Sequence, residues 1–189
     1  LDEVVVNNKR KTIQKSYFKT QNIINVSSEE LLKAACCNIS ESFETNPSID
    51  VSYSNAVTGV KQVKMLGLES PYLLITEENI PMIRGASQVY GLSFIPGTWV
   101  ESMQITKGIG SVVNGFESIS GQINVELKKP YSDSPFFVNI YTNDMGRNEL
   151  NLHTNKIISD KVSTGLYLHA NKNNHIIDNN NDGFLDHPL

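Results

Sequence analysis

WVESMQITKGIGSVVNGFESISGQINVELKKP, residues 99–130, holds two strand-like runs on either side of a loop of small residues. Val100, Met103 and Ile105 are the main apolar positions of the first run, VESMQITKG (100–108). INVELKK (123–129) is the second, closed by Pro130, and both are rich in the β-branched residues that fit a pleated surface. Between them SVVNGFESISG is irregular, its Gly and Ser residues punctuating the two strands.

Upstream, a helix precedes the strands. SSEELLKAACC begins with Ser27 or Ser28 as N-cap, and Glu29 or Glu30 stands within capping-box reach. Leu32, Cys36, Ile39 and Phe43 recur at i, i+4, i+7 and i+11, one face of a helix. Asn46 and Pro47 end it. The period then changes to two. Ile49, Val51 and Tyr53 alternate with Asp50 and Ser52, VKQVKML (60–66) alternates similarly, and YLLITEENI (72–80) is an apolar run typical of a buried strand. RGASQVYGLSFIPG (84–97) is rich in Gly, Ser and Tyr. Residues 27–129 therefore predict an α+β unit, one helix and several short strands with glycine-containing connections. Residues 9–26 are polar with short apolar interruptions, an extended arm ending in a short strand.

Past Pro135 the texture changes. Phe136, Val138 and Ile140 alternate with Phe137, Asn139, Tyr141 and Asn143. Leu150 and Leu152 oppose Asn151, His153 and Asn155. Val162, Thr164, Leu166, Leu168 and Ala170 oppose Ser163, Gly165, Tyr167 and His169, and short turns join the three runs. Such strands fit the edge of a soluble sandwich, or the start of a barrel with lipid outside and water inside. Alternation alone does not choose between them.

Composition narrows the function. The 189 residues are about one domain's worth of chain. A net charge of -4 with scattered basic residues excludes a nucleic-acid footprint. No window approaches the ~20 apolar residues of a spanning helix, which leaves barrel strands as the one membrane-crossing option. Leu1 leads straight into Asp2 and Glu3 with no signal peptide in view, so a cytoplasmic or a mature, processed chain is expected. Cys36 and Cys37 are adjacent and give no disulfide framework. A soft-metal site would recruit Met65, Met82 or Met103, but no histidine or second cysteine pair lies near, and the pair reads as small apolar residues of the helix. No nucleophile–base or paired-carboxylate spacing stands out, so an enzyme is not expected.

Taken in order, these motifs resemble the plug domain of TonB-dependent outer-membrane receptors. In that family a strand close to I-E-x-I-E-V-x-K-G leads to a small-residue loop with Tyr-Gly, and a Gly-x-I-N-I strand follows. Here Val100-Glu101, Ile105, Lys107-Gly108, Asn114-Gly115 and Gly121-Gln122-Ile123-Asn124-Val125 occupy those places. ESFETNPSIDV stands where the family has a helix, a turn and a strand ending in P-G-V-x-V. VKMLGL stands for I-R-I-R-G, and LLITEENIPM for V-L-V-D-G-V-P. The match covers residues 1–130, and 136–170 fit the first barrel strands. Lys64 and Leu66 depart from the usual arginines, which help lock plug to barrel, as do Asn114 from Tyr and Ser48 from Gly.

The resemblance implies a TonB box and N-terminal arm over 1–26, an α+β plug with a short mixed sheet over 27–130, and antiparallel transmembrane β-barrel strands with the start of an extracellular loop over 131–189. It implies a receptor in the outer membrane of a Gram-negative bacterium, importing a bulky nutrient such as a metal chelate or vitamin. Asp2, Glu3, Val4, Val5 and Val6 would be the box offered to the TonB energy-coupling protein. An extended valine-rich peptide suits strand addition to a partner's sheet edge. The octapeptide alone reads rather as an ordinary first strand tucked into the domain's own sheet, and the plug motifs behind it favour the box. By position in the family, YSNAVTG (53–59) and RGASQVYGLSF (84–94) are outward plug loops, with Tyr53, Asn55, Arg84, Gln88, Tyr90 and Phe94 as substrate contacts. A surface lipoprotein is a further expected partner. Asp178, Asn180, Asp182, Phe184 and Asp186 are spaced like calcium ligands, with Gly183 at the turn, yet Leu189 replaces the closing Glu. A solvated Asn/Asp turn explains the same residues, and the spacing leaves both open. Set apart from the plug motifs, residues 136–189 also fit a calcium-stabilised, β-rich surface or adhesion module.

Overall fold

The computed structural model describes residues 13–15, 22–33, 39–43, 49–53, 61–69, 71–82, 84–110, 115–144, 146–173 and 178–182. Their strands are β1 (Ile13–Lys15), β2 (Asn22–Ser27), β3 (Asp50–Tyr53), β4 (Lys61–Met65), β5 (Leu68–Glu69), β6 (Leu73–Glu77), β7 (Ile80–Pro81), β8 (Val100–Lys107), β9 (Gly121–Leu127), β10 (Phe136–Thr142), β11 (Arg147–Ser159) and β12 (Val162–Asn173). Helical turns α1 (Ser28–Lys33) and α2 (Ile39–Ser42) follow β2.

Six strands form a mixed sheet in the order β1-β2-β8-β9-β6-β7, in which only β6 and β9 run parallel. Register puts Ile24, Ile105, Ile123 and Ile75 in one cross-strand row, and Val26, Met103 and Val125 in the next. These rows pack on Leu31, Ile39 and Phe43 from the helical turns and on Val63, Met65, Leu92 and Ile95. Ile105 and Ile123 are wholly buried, so truncating either to Ala removes about 2–5 kcal/mol. The opposite face buries Ile23 and Leu74 in one row and is polar in the next two. Asn25, Gln104, Asn124 and Thr76 form one row, and Ser27, Ser102 and Glu126 another. Thr76 donates to Asn124 Oδ1 at 2.8 Å, and Ser102 and Gln104 reach Glu126 at 3.3 and 3.4 Å.

β3, β4 and β5 make a second, antiparallel sheet. Leu66 and Gly67, with φ of 54° and 76°, close β4 onto β5. Two successive positive φ values are the type I′ geometry that matches the strand twist. Glu78 and Asn79 (φ 52° and 64°) repeat it between β6 and β7. That turn is why the run 72–80 is two strands rather than the single one its apolar content predicts.

β10, β11 and β12 form a third antiparallel sheet, whose burial inverts the soluble pattern. Its apolar positions Phe136, Val138, Ile140, Leu150, Leu166 and Leu168 are exposed, while Glu149, Asn151, His153 and Asn155 are buried. In a soluble sandwich the burial of the two faces would be exchanged. The apolar face is turned outward and the polar face inward, the pattern expected of strands that line a barrel wall.

The helix expected over 27–46 is described as α1 and α2, with Leu31, Ile39 and Phe43 buried. Residues 100–108 and 123–129 are strands where expected. Gly85–Ser93, within the stretch expected as an outward loop, form a 3-10 helix. Nine residues is long for this conformation, which usually runs three or four.

Candidate functional site

Two places bring functional side chains together: the loop 84–94 with its supports, and the seam between the mixed sheet and the wall strands. Gly85 opens the 3-10 segment at a φ of 69°, a value costly for a side-chain-bearing residue. Arg84 just before it is half exposed, and its Nε lies 3.1 Å from Glu117 Oε2. Tyr90 and Phe94 are exposed on the same segment. Gln88 is not. It is 2% exposed, and its amide Nε2 donates to the Leu73 carbonyl, so it anchors the segment to β6. Tyr53, exposed at the end of β3, is paired with Lys61, whose ammonium lies 5.4 Å from the ring centroid. Aromatic rings and cations at loop entries can hold a bulky ligand with anionic or π-rich groups. Asn55, the box residues Asp2, Glu3, Val4, Val5 and Val6, and Cys36 and Cys37 lie outside the described residues.

The seam is built from the chain that leaves β9. The Lys128 N–H donates to the Trp99 carbonyl at 2.9 Å, continuing the pairing of β9 with β8. Trp99 then meets Tyr167 of β12 edge-on, with centroids 6.0 Å apart. Thr98 donates to Asn151 Oδ1 at 3.1 Å, and the same oxygen accepts His169 Nδ1 at 2.7 Å, which places the histidine proton on Nδ1. Asn151 Nδ2 donates to Glu149 Oε1 at 3.1 Å. Lower on the wall, Asp133 accepts Asn155 Nδ2 at 3.0 Å, and Lys128 Nζ lies 3.6 Å from it. His153 Nε2 is 3.0 Å from Asp133 as well, close in distance but not aligned as a hydrogen bond. His153 stacks on Phe137 with centroids 4.5 Å apart. Asn151, Asn155 and His169 of this seam are held by hydrogen bonds, whereas Trp99 Nε1, Glu149 Oε2 and His153 Nε2 are buried without one.

Sequence reasoning placed His153 and His169 on the inward face but passed over Glu117, Asp133 and Asn151. Glu117 meets Arg84 33 residues away, Asp133 meets His153 20 away as well as the nearby Lys128, and Asn151 meets Thr98 53 away as well as the nearby Glu149. The one available signal was the position of Asn151 among the polar alternates of its strand. Lys64, at a place where the family has arginine, is engaged within its own hairpin. Its ammonium lies 2.6 Å from Glu69 and holds that carboxyl below its ordinary value.

Of the expected calcium ligands, Asp178, Asn180 and Asp182 are described and fold into a hydrogen-bonded turn. The Asp182 N–H lies 3.2 Å from Asp178 Oδ1, and Asn180 Nδ2 donates to Asp182 Oδ2 at 2.9 Å. Phe184 and Asp186 lie outside the described residues. Among the described residues no three His, Cys, Asp or Glu side chains converge as metal ligands.

No curated protein sequence matches the chain. Its fold is similar to that of the ferric-catecholate import receptor Fiu from E. coli K12 in its open form, with a TM-score of 0.65 and 18% identity over 84% of this chain and 22% of that one. It is also similar to FpvAI in a complex with pyocin S2 (TM-score 0.71, 18% identity, 85% of this chain and 21% of that one). The ferric yersiniabactin uptake receptor FyuA from Yersinia pestis gives 0.64 and 15%, over 82% and 25%. The chain thus spans a quarter or less of the length of these receptors. At such identities the likeness is one of fold. The family model described as the TonB-dependent Receptor Plug Domain matches residues 16–122, more than half of the sequence, and the chain belongs to that family.

Proposed function

We propose that this chain is the gating part of an active importer in the outer membrane of a Gram-negative bacterium, a plug seated against the first strands of its own barrel. The observation that carries the reading is the inverted wall. Polar side chains of β11 are buried against the plug's exit segment, while the apolar side chains of β10–β12 face outward. An uncovered apolar sheet face is an aggregation hazard in water and a requirement in lipid.

The cargo is a bulky metal chelate or vitamin that meets Tyr53, Asn55, Arg84, Tyr90 and Phe94, with Gln88 holding the loop from beneath. Cargo binding releases Asp2–Val6 to the TonB energy-coupling protein by strand addition. The pull of that partner, driven by the proton-motive force, opens a path through the plug. A surface lipoprotein that delivers cargo is a further partner of this reading.

The test is uptake of radiolabelled iron chelates and cobalamin by cells expressing the full-length receptor. Uptake of at least one is expected, abolished by a protonophore and by Val5→Pro, which removes a backbone donor needed for strand addition. Uptake that survives both treatments, or a receptor absent from the outer-membrane fraction, overturns the proposal.

A further inference from the structure

The ion pair between Arg84 and Glu117 is unequal. The Glu117 side chain is 11% exposed and that of Arg84 is 55% exposed. A carboxylate so far from water is costly unless a cation or hydrogen-bond donors compensate it. Arg84 supplies that compensation through Nε at 3.1 Å, while more than half of its side chain stays at the surface. The planar guanidinium carries five N–H donors in a fixed fork. A carboxylate gripping one edge therefore fixes where the rest of the fork points.

The surroundings extend the relation beyond one pair. Gln88, from the middle of the 3-10 segment, donates to the carbonyl of Leu73. Ser120 donates its backbone N–H and its hydroxyl to the carbonyl of the preceding residue, Tyr72, at 3.0 and 2.8 Å. The Phe116–Ser118 turn is held at its base by Gly108 N–H to Ser120 and Gly110 N–H to Ser118, at 3.0 and 2.8 Å. Gly110 approaches so closely that a Cβ there would lie 2.6 Å from the Ser118 hydroxyl. Two separate loops thus hang on two consecutive carbonyls at the start of β6, and the Arg84–Glu117 pair joins them at a third point.

We infer that Glu117 is a positioning residue for Arg84. It fixes the guanidinium for an anionic group of the cargo and makes the 84–94 loop and the Phe116–Ser118 turn respond as one unit. The cargo half of this inference rests on the import reading above; the loop coupling does not.

The experiment is hydrogen exchange on the full-length receptor in detergent, comparing wild type with Arg84→Ala, Glu117→Ala and the double variant. Exchange across residues 85–93 is expected to rise about tenfold in Glu117→Ala, and the double variant is expected to add nothing to the larger single effect. Glu117→Gln keeps the side-chain volume and is read in place of Glu117→Ala if that variant is not folded. Protection of 85–93 unchanged in the variant that is read, or additive effects in the double, overturns the coupling.

For the cargo, ferric citrate and a ferric tris-catecholate serve as anionic probes and cyanocobalamin as an uncharged one. Affinity for an anionic probe is expected to fall about tenfold in Glu117→Gln and in Arg84→Gln alike, with cyanocobalamin unaffected. Equal loss for charged and uncharged probes, or no anionic probe bound by wild type, overturns the positioning role. Failure of the import reading shows separately, as energised cells that take up no chelate while the exchange result stands.

Discussion

The Glu78 carboxylate lies 2.5 Å from the Lys129 ammonium, and the same Oε1 accepts the Leu127 backbone N–H at 2.9 Å. The Glu78 backbone N–H in turn donates to the Val125 carbonyl. One turn residue therefore grips the last residues of β9 where the chain leaves the plug for the wall.

Lys129, then the backbone N–H of Leu127, hold the Glu78 carboxyl below its ordinary value. A lowered folded value means that the stabilisation is complete above the unfolded value, roughly pH 4.3. It is lost as pH falls through the lower folded value. The pair is partly solvated, so it contributes about 0.5 kcal/mol after screening. The protection of the Leu127 amide in the full-length receptor, taken relative to its intrinsic exchange rate at each pH, should fall below about pH 4, and Glu78→Gln should remove that loss.

Gly121 is the tightest backbone approach in the core. A Cβ there would lie 2.3 Å from the sulfur of Met65 and 2.5 Å from the Thr106 carbonyl oxygen. The thioether can move, but the paired backbone of β8 cannot. Gly121→Ala should cost about 2–3 kcal/mol, and adding Met65→Ala should not restore stability. Denaturant unfolding of the receptor measures both.

Leu66 holds a φ of 54° with its side chain 62% exposed. It carries left-handed strain with little burial in return. Leu66→Asn or Leu66→Gly should stabilise the β4–β5 hairpin by about 0.5–1 kcal/mol. A higher melting temperature checks it, and an unchanged or lower one contradicts it.

The wall gives a directional prediction. Leu168 points outward and lies level with Leu152 and Val138 on the neighbouring strands. Leu168→Arg should cost about 2–4 kcal/mol if that row meets the bilayer midplane. It should cut the amount of heat-modifiable receptor in outer membranes. His169→Gln, on the inward face, should leave assembly intact, since glutamine can still donate to Asn151.

The strands were the most legible part of the sequence, because a half-buried strand writes its burial as alternation. β10–β12 are the plain case, with Asn151, His153 and Asn155 on one face and Leu150 and Leu152 on the other. Alternation did not tell which face is covered, and the buried one proved to be the polar one. Val100 and Met103 share the core despite being out of phase by one residue, because the β8–β9 register shifts between Val100 and Ser102. Glu78-Asn79 gave no glycine or proline signal, so the turn within 72–80 was hidden. In the candidate site, Arg84, Tyr90 and Phe94 were named from the position of their loop in the family the sequence resembles, and all three are exposed. The burial of Gln88 depends on a carbonyl in another strand, and that of Glu117 on a cation 33 residues earlier.

The parallel pairing of β6 with β9 sets an order of events. Leu73 and Gly121 are 48 residues apart, and parallel neighbours cannot be joined by a hairpin. β6, next to the edge strand of the sheet, must wait, unpaired on that side, until the chain as far as Gly121–Val125 is available. Contacts between residues so distant in sequence form slowly. The folding chain thus passes through an interval in which the aliphatic run Leu73, Leu74 and Ile75 lacks its parallel partner strand.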